Sequence, residues 1–202
     1  MKLYVFCAAL AFAGASAPAT PVVWNTTDGG NGHAYEVVAA PETLSWETAR
    51  AAAKTRGGDL ATITSPAENA FVFVLADSAD YWIDYDGHIP MGPWLGGFQP
   101  LGSPEPDGGW QWVTGEPFAY TNWAPGPPAQ PSNTSGEDRL HFFVAETAGQ
   151  RGPTWNDVQN NGQALPRAYV VEYVPEPGGR RGSRGRTGGR RPRPATVPTA
   201  VR

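Results

Sequence analysis

Five oxygen-bearing side chains in the later part of the chain, Gln130, Ser132, Glu137, Asn156 and Asp157, are the natural starting point for chemistry. A hard cation such as calcium takes about six to eight oxygens at about 2.3 to 2.6 Å, drawn from carboxylates, amide carbonyls and water. Glu137, Asn156 and Asp157 supply two carboxylates and one amide, and Gln130 a further amide oxygen. Ser132 adds only a neutral hydroxyl, a poor calcium ligand beside a carboxylate. Pro131, between Gln130 and Ser132, limits the directions in which its neighbours can point. Other groupings carry less. Asp80, Asp84, Asp86 and Gly87 open like a calcium loop, but no Glu stands where such a loop must close, so they read as a solvated acidic turn. His33, His88 and His141 are too scattered for metal-ligand spacing. Nucleophile-elbow, phosphate-loop, dinucleotide and zinc-protease patterns are all missing, so the chain is read as non-enzymatic.

Positioning such oxygens requires a scaffold, and the flanking sequence suggests one. Tyr35, Val37 and Val38 mark a short strand between His33 and Ala40. The alanine-rich segment from Leu44 to Arg56, with Ser45 as cap and Gly57-Gly58 as stop, predicts a helix. Leu60 to Ile63 reads as a strand. Ser65-Pro66-Ala67-Glu68 has the capping-box pattern with Pro at the first helical position, predicting a second helix from Pro66 to Leu75. Short strands follow at Trp94 to Gln99, Trp110 to Thr114, Leu140 to Ala145 and Ala168 to Val174. Trp110 with Trp112, and Leu140 with Phe142, are spaced to share a buried face. Two helices followed by a run of strands and long loops predict an α+β fold.

In this order, Leu60-Ala61-Thr62-Ile63 with Pro66-Ala67-Glu68-Asn69, Trp94-Leu95-Gly96-Gly97, Gln130-Pro131-Ser132, Glu137-Asp138 and Trp155-Asn156-Asp157 resemble the C-type lectin-like domain family. The resemblance covers about residues 31–174 and implies two helices packed on short antiparallel sheets with a long loop region. It also implies that Gln130, Glu137, Asn156 and Asp157 hold calcium around a cis Pro131. Such an ion leaves coordination sites free for two vicinal sugar hydroxyls. Trp123 is the aromatic nearest the loop and joins the expected ligand-binding set with Gln130, Ser132, Glu137, Asn156 and Asp157. The family pattern has an acid in the triplet where this chain offers only Gln130 and Ser132. Two functions therefore stay open: a calcium-dependent glycan-binding module, or a metal-independent protein-binding, adhesion or scaffold domain of the same fold.

Composition bounds the rest. The 202 residues suit one domain and a tail; 40% hydrophobic content and eight Trp suffice for a core, and 25 Gly and 21 Pro predict many turns. All 19 acidic residues lie between Asp28 and Glu176 with only six bases, whereas eight Arg follow Glu176. An acidic body suits divalent cations and excludes a specific nucleic-acid groove. Residues 1–19, a Lys followed by an apolar run and small residues, have the layout of a secretory signal peptide too short to span a bilayer. They contain Cys7, the only cysteine, so the expected mature protein is secreted, extracellular and free of disulfides. Residues 175–202 are Gly/Arg-rich and predict a disordered tail able to tether acidic polymers. Val174-Pro175-Glu176-Pro177 resembles the start of the bacterial Pro-Glu-Pro C-terminal sorting signal without its membrane helix. Asn25-Thr26-Thr27 and Asn133-Thr134-Ser135 are N-glycosylation sequons.

Overall fold

The computed structural model describes residues 20–87, 89–134, 136–144, 149–160, 162 and 165–176. The expected signal peptide with Cys7, His88, and the expected Gly/Arg tail beyond Glu176 lie outside them. The elements are β1 (Val22–Val23), β2 (Ala34–Ala39), α1 (Trp46–Thr55), β3 (Asp59–Leu60), α2 (Pro66–Ala76), β4 (Ile83–Tyr85), β5 (Ile89–Met91), β6 (Trp94–Phe98), β7 (Gln111–Trp112), β8 (Arg139–Val144), β9 (Arg151–Val158) and β10 (Ala168–Tyr173). This is the expected α+β arrangement, with strand order β1-β2-β10-β6-β8-β9 and the hairpin β4-β5 as a separate small sheet. One pairing departs from the antiparallel expectation: β10 runs parallel to β6, joined at Tyr169 and Trp94.

Each helix begins where its cap dictates. The Ser45 hydroxyl accepts from Thr48 N, and Ser65 accepts from Glu68 N with Pro66 at the first turn. The second cap is a modified box. Glu68 reaches past its cap residue to Thr64, accepting from both its N–H and its hydroxyl, because the carboxylate is drawn into the interior and left 2% exposed. There it meets the Tyr35 hydroxyl and Asn31. Glu172 on β10 joins the same network through the Tyr35 hydroxyl and His33, and also accepts from Thr62 N. That last bond explains why β3 stops at Leu60 rather than Ile63: the Thr62 N–H is taken by a side chain instead of a strand carbonyl.

The sheet and helices enclose two apolar clusters. Tyr35, Ile63, Val72, Leu95, Trp112, Leu140, Phe142 and Trp155 belong to the first, so Leu140 and Phe142 share a face as their spacing requires. Trp110 joins the same cluster although it precedes β7, which is only Gln111–Trp112. The second gathers Trp46, Leu60, Trp94, Tyr169 and Val171 under α1. The junction is at Gly96 on β6, where a Cβ would lie 2.8 Å from Leu60 O and 3.0 Å from Ala61 O. Gly96→Ala is expected to destabilise the fold by about 1 to 3 kcal/mol through overpacking against backbone; urea unfolding of the variant against wild type measures it.

Candidate functional site

The Trp155-Asn156-Asp157 triplet lies on β9, which pairs with β8 so that Leu140 faces Asp157, His141 faces Asn156 and Phe142 faces Trp155. Trp155 is fully buried and its Nε1 donates to Asn69 Oδ1 of α2 at 2.8 Å, tying the strand to the helix. On its other edge β9 receives the loop before Gln130. Trp155 N donates to Asn122 O, Ala124 N to Trp155 O, and Gln130 N to Ala124 O. Trp123 sits in this segment half-buried, its ring 4.8 Å from that of Trp110 and 5.9 Å from that of Trp155. It forms part of the aromatic cluster around Trp155 and bonds to none of the candidate oxygens among the contacts described.

The loop then closes over Asp157. The Gln130–Pro131 peptide is cis, as the family resemblance implies. Ser132 N lies 2.9 and 3.0 Å from the two Asp157 carboxylate oxygens, and Asn133 N donates to Oδ2 at 2.8 Å. Asp157 has no exposed surface, so these donors answer a carboxylate that water cannot reach. Glu137 folds back over the same turn, accepting from the Ser132 hydroxyl at 3.0 Å and from Thr134 N at 2.9 Å. Asn133, at φ 49°, completes it by accepting from Glu137 N through its side-chain oxygen. Ser132, Glu137 and Asp157 are therefore brought together. Gln130 lies two residues before Ser132, and its Oε1 is a buried acceptor with no hydrogen-bond partner. Asn156 is engaged elsewhere: its Nδ2 donates to Asp157 O and stands 3.1 Å from His141 Nε2 on the neighbouring strand.

Burial raises the Glu137 carboxyl above its ordinary range, and the Asp157 charge raises it further, opposed by the bonds from Ser132 and Thr134. Burial also raises Asp157; the Asn133 and Ser132 N–H groups lower it, and the Glu105 charge raises it. Burial holds His141 down, at about 4. Asp157, buried, and Glu137, half-buried, meet at the Ser132 turn as two like-charged carboxylates, and with the orphaned Gln130 Oε1 they are oxygens of the kind a hard cation takes. Among the described residues no group of three or more His, Cys, Asp or Glu side chains is placed to share a metal. The Asp84–Asp86 segment forms the β4–β5 hairpin, with Asp84 accepting from Ile89 N.

Sequence reasoning passed over three residues. Asn133 stands out in the sequence only as part of a sequon, whereas its amide oxygen is committed to the turn; the Asn-Thr-Ser-Gly run is itself a turn signal. Its sequon partner Ser135 is outside the described residues. His141 could have been placed beside Asn156 only from the β8–β9 register, and Glu105 near Asp157 only from the fold of the loop after β6.

The Lectin C-type domain family matches residues 42–164. The chain belongs to the C-type lectin domain family. It is 29% identical over 124 residues to a perlucin-like protein of Mytilus galloprovincialis, covering 60% of this chain and 67% of that protein. It is 32% identical over 133 residues to the human C-type mannose receptor 2, covering 66% of this chain but only 7% of the receptor. Among solved structures, the cow C-type carbohydrate-recognition domain of CD23, determined in the presence of a GlcNAc2Man3 oligosaccharide, superposes with a TM-score of 0.56 at 20% identity, covering 80% of this chain and 98% of that one. A calcium-independent type II antifreeze protein superposes with a TM-score of 0.53 at 17% identity, covering 79% and 95%. These two likenesses speak to the fold. No enzyme is among these relatives, and no helix of the described residues is long and apolar enough to cross a membrane.

The raised carboxyls give a signed expectation. A group whose pKa is higher in the folded protein stabilises the fold below its unfolded pKa, and that contribution is lost as pH rises through the folded value. Glu137 and Asp157 should thus make the calcium-free protein less stable as pH rises through and above the ordinary carboxylate range. Glu137→Gln should flatten that fall and leave the unfolding midpoint in chelator no lower than wild type near neutral pH. Thermal unfolding across a pH series checks both.

Proposed function

We propose that this chain is an exported carbohydrate-binding module that contacts a surface or matrix glycan through calcium held by Gln130, Glu137, Asn156 and Asp157, without catalysis. The observation that carries the reading is the unpartnered Gln130 Oε1, two residues before a turn in which the Glu137 and Asp157 carboxylates are drawn to the same Ser132. Calcium, when bound, supplies a positive centre to which vicinal sugar hydroxyls coordinate. The protein's own part is to gather the oxygens: Ser132 and Asn133 orient Asp157, and Ser132 and Thr134 orient Glu137. Trp123 stands near enough in sequence to border the ligand, held by Trp110 and Trp155. Similarity to a mannose receptor and to a carbohydrate-recognition domain supports a glycan as partner. The signal-like residues 1–19 support secretion, and residues 31–174 and 175–202 are taken as domain and Gly/Arg tail. The Pro-Glu-Pro motif at Pro175-Glu176-Pro177 supports a bacterial exported type.

A second reading, a metal-independent protein-binding or scaffold domain, is favoured by one observation. Ser132 brings no charge where the family pattern has an acid, and its N–H and hydroxyl instead meet Asp157 and Glu137 directly. The likeness to a calcium-independent antifreeze protein is compatible with it.

The two readings separate on the unfolding midpoint in calcium and in EDTA. With calcium about a hundredfold above its dissociation constant, linkage adds about 2.7 kcal/mol, roughly 5 to 10 °C for a domain this size. A midpoint indifferent to chelator selects the scaffold reading. Asn156→Ala with Asp157→Ala should abolish glycan capture on an array; unchanged capture by this double variant rules out the proposed site.

A further inference from the structure

Among the described residues, His141 is a buried titratable group beside the site that the reading above leaves unused. The β8–β9 register sets it opposite Asn156, so the two side chains leave the sheet on the same face. The imidazole has no exposed surface and stands edge-on to Trp94 and Phe143, with ring centroids 5.9 and 5.8 Å away. Its Nδ1 lies 2.5 Å from Phe142 O. A carbonyl only accepts, so the hydrogen must be on Nδ1, and the neutral ring is left with Nε2 as its acceptor.

That acceptor faces Asn156, whose Nδ2 stands 3.1 Å away. An amide turned the other way would set its oxygen against a lone pair, an arrangement with no hydrogen between them. The second Nδ2 hydrogen is directed to Asp157 O at 2.6 Å. Both donors of the amide are then used inside the protein, and planarity carries the oxygen away from the imidazole.

We propose that His141 is a positioning residue for the site: by fixing the amide of Asn156 nitrogen-inward, it presents the Asn156 oxygen, and not an N–H, to a ligand. On the calcium-assisted reading, that oxygen is the one Asn156 contributes alongside Glu137, Asp157 and Gln130. Its importance for binding rests on the calcium-assisted reading above; the orientation of the amide does not. Outer-shell partners of metal ligands act in this way, and their loss commonly weakens metal binding about 10- to 100-fold.

Nitrogen-15 NMR of the full-length protein tests the orientation without any metal. The expected signature is a neutral His141 with the hydrogen on Nδ1, an unprotonated Nε2, and Asn156 side-chain amide hydrogens protected from exchange. A His141 hydrogen on Nε2 overturns the proposal. His141→Gln, which returns an acceptor near the Nε2 position, should keep the Asn156 protection and hold calcium affinity within about threefold of wild type, whereas His141→Leu should lose the protection and about tenfold in affinity. Wild-type protection in His141→Leu overturns the proposal, as does wild-type calcium affinity in a folded His141→Leu. If wild type itself binds no calcium, the functional reading falls, and the NMR signatures of wild type and His141→Gln still decide the orientation. They also decide it if His141→Leu does not fold.

Discussion

A carboxylate with no exposed surface has to be met by donors wherever the chain places it, and at this site that carboxylate is Asp157. β9 carries it into the interior next to Trp155, and the following organisation is a response. The loop after Gln130 turns so that two consecutive N–H groups, of Ser132 and Asn133, point at its oxygens. Asn133 accepts the left-handed backbone that this requires, a conformation for which Asn is among the better-suited residues. Glu137 is then returned over the same turn by Asn133 and Thr134, which brings a second negative charge to a place where water is scarce. The two carboxylates are thus gathered by the same hydrogen bonds that close the turn.

The loop can afford so little regular structure because its foundation is rigid. Trp155 is hydrogen-bonded to α2 through Asn69, and Asn69 also reaches Pro153 O. Asn122 reaches the same carbonyl from the loop side. Tyr120, Trp123, Phe118 and Trp112 surround the Trp155 ring in mostly edge-to-face contacts. Such packing contributes both apolar burial and fixed geometry. The loop that closes over Asp157 is thus anchored along one line to the helix and the sheet.

A second buried acidic network does comparable work at the other side of the first core. Glu68 of α2 and Glu172 of β10 are joined through Tyr35 of β2, with Asn31 and His33 closing the cluster. Burial raises the Glu172 carboxyl, while bonds from Thr62 and His33 oppose that rise. These contacts link an early strand, the second helix and the last strand, segments far apart in the chain. They also remove Thr62 from the sheet, which shortens β3.

Helix limits, the fold class and six of the strands were legible because caps, alanine runs and alternating apolar residues are local signals, whereas β1, the β4–β5 hairpin and β9, which carries Trp155 to Asp157, were not. Ser45, Ser65, Pro66 and Gly57 act within a few residues of themselves, and Leu140 and Phe142 declare their shared face by spacing alone. The candidate oxygens were legible too, as residue types along a family pattern, and the cis Pro131 with them. What the local signals did not contain was partnership across the sheet. The parallel β10–β6 pairing, the pull of Glu172 on Thr62, the packing of Trp123 onto Trp155 and the facing of His141 and Asn156 all join residues more than fourteen positions apart. A sequence states which groups can donate, accept or pack; which of them meet depends on strand register, where a shift of one residue would exchange His141 for Leu140 opposite Asn156 and turn a hydrogen bond into an unsatisfied amide.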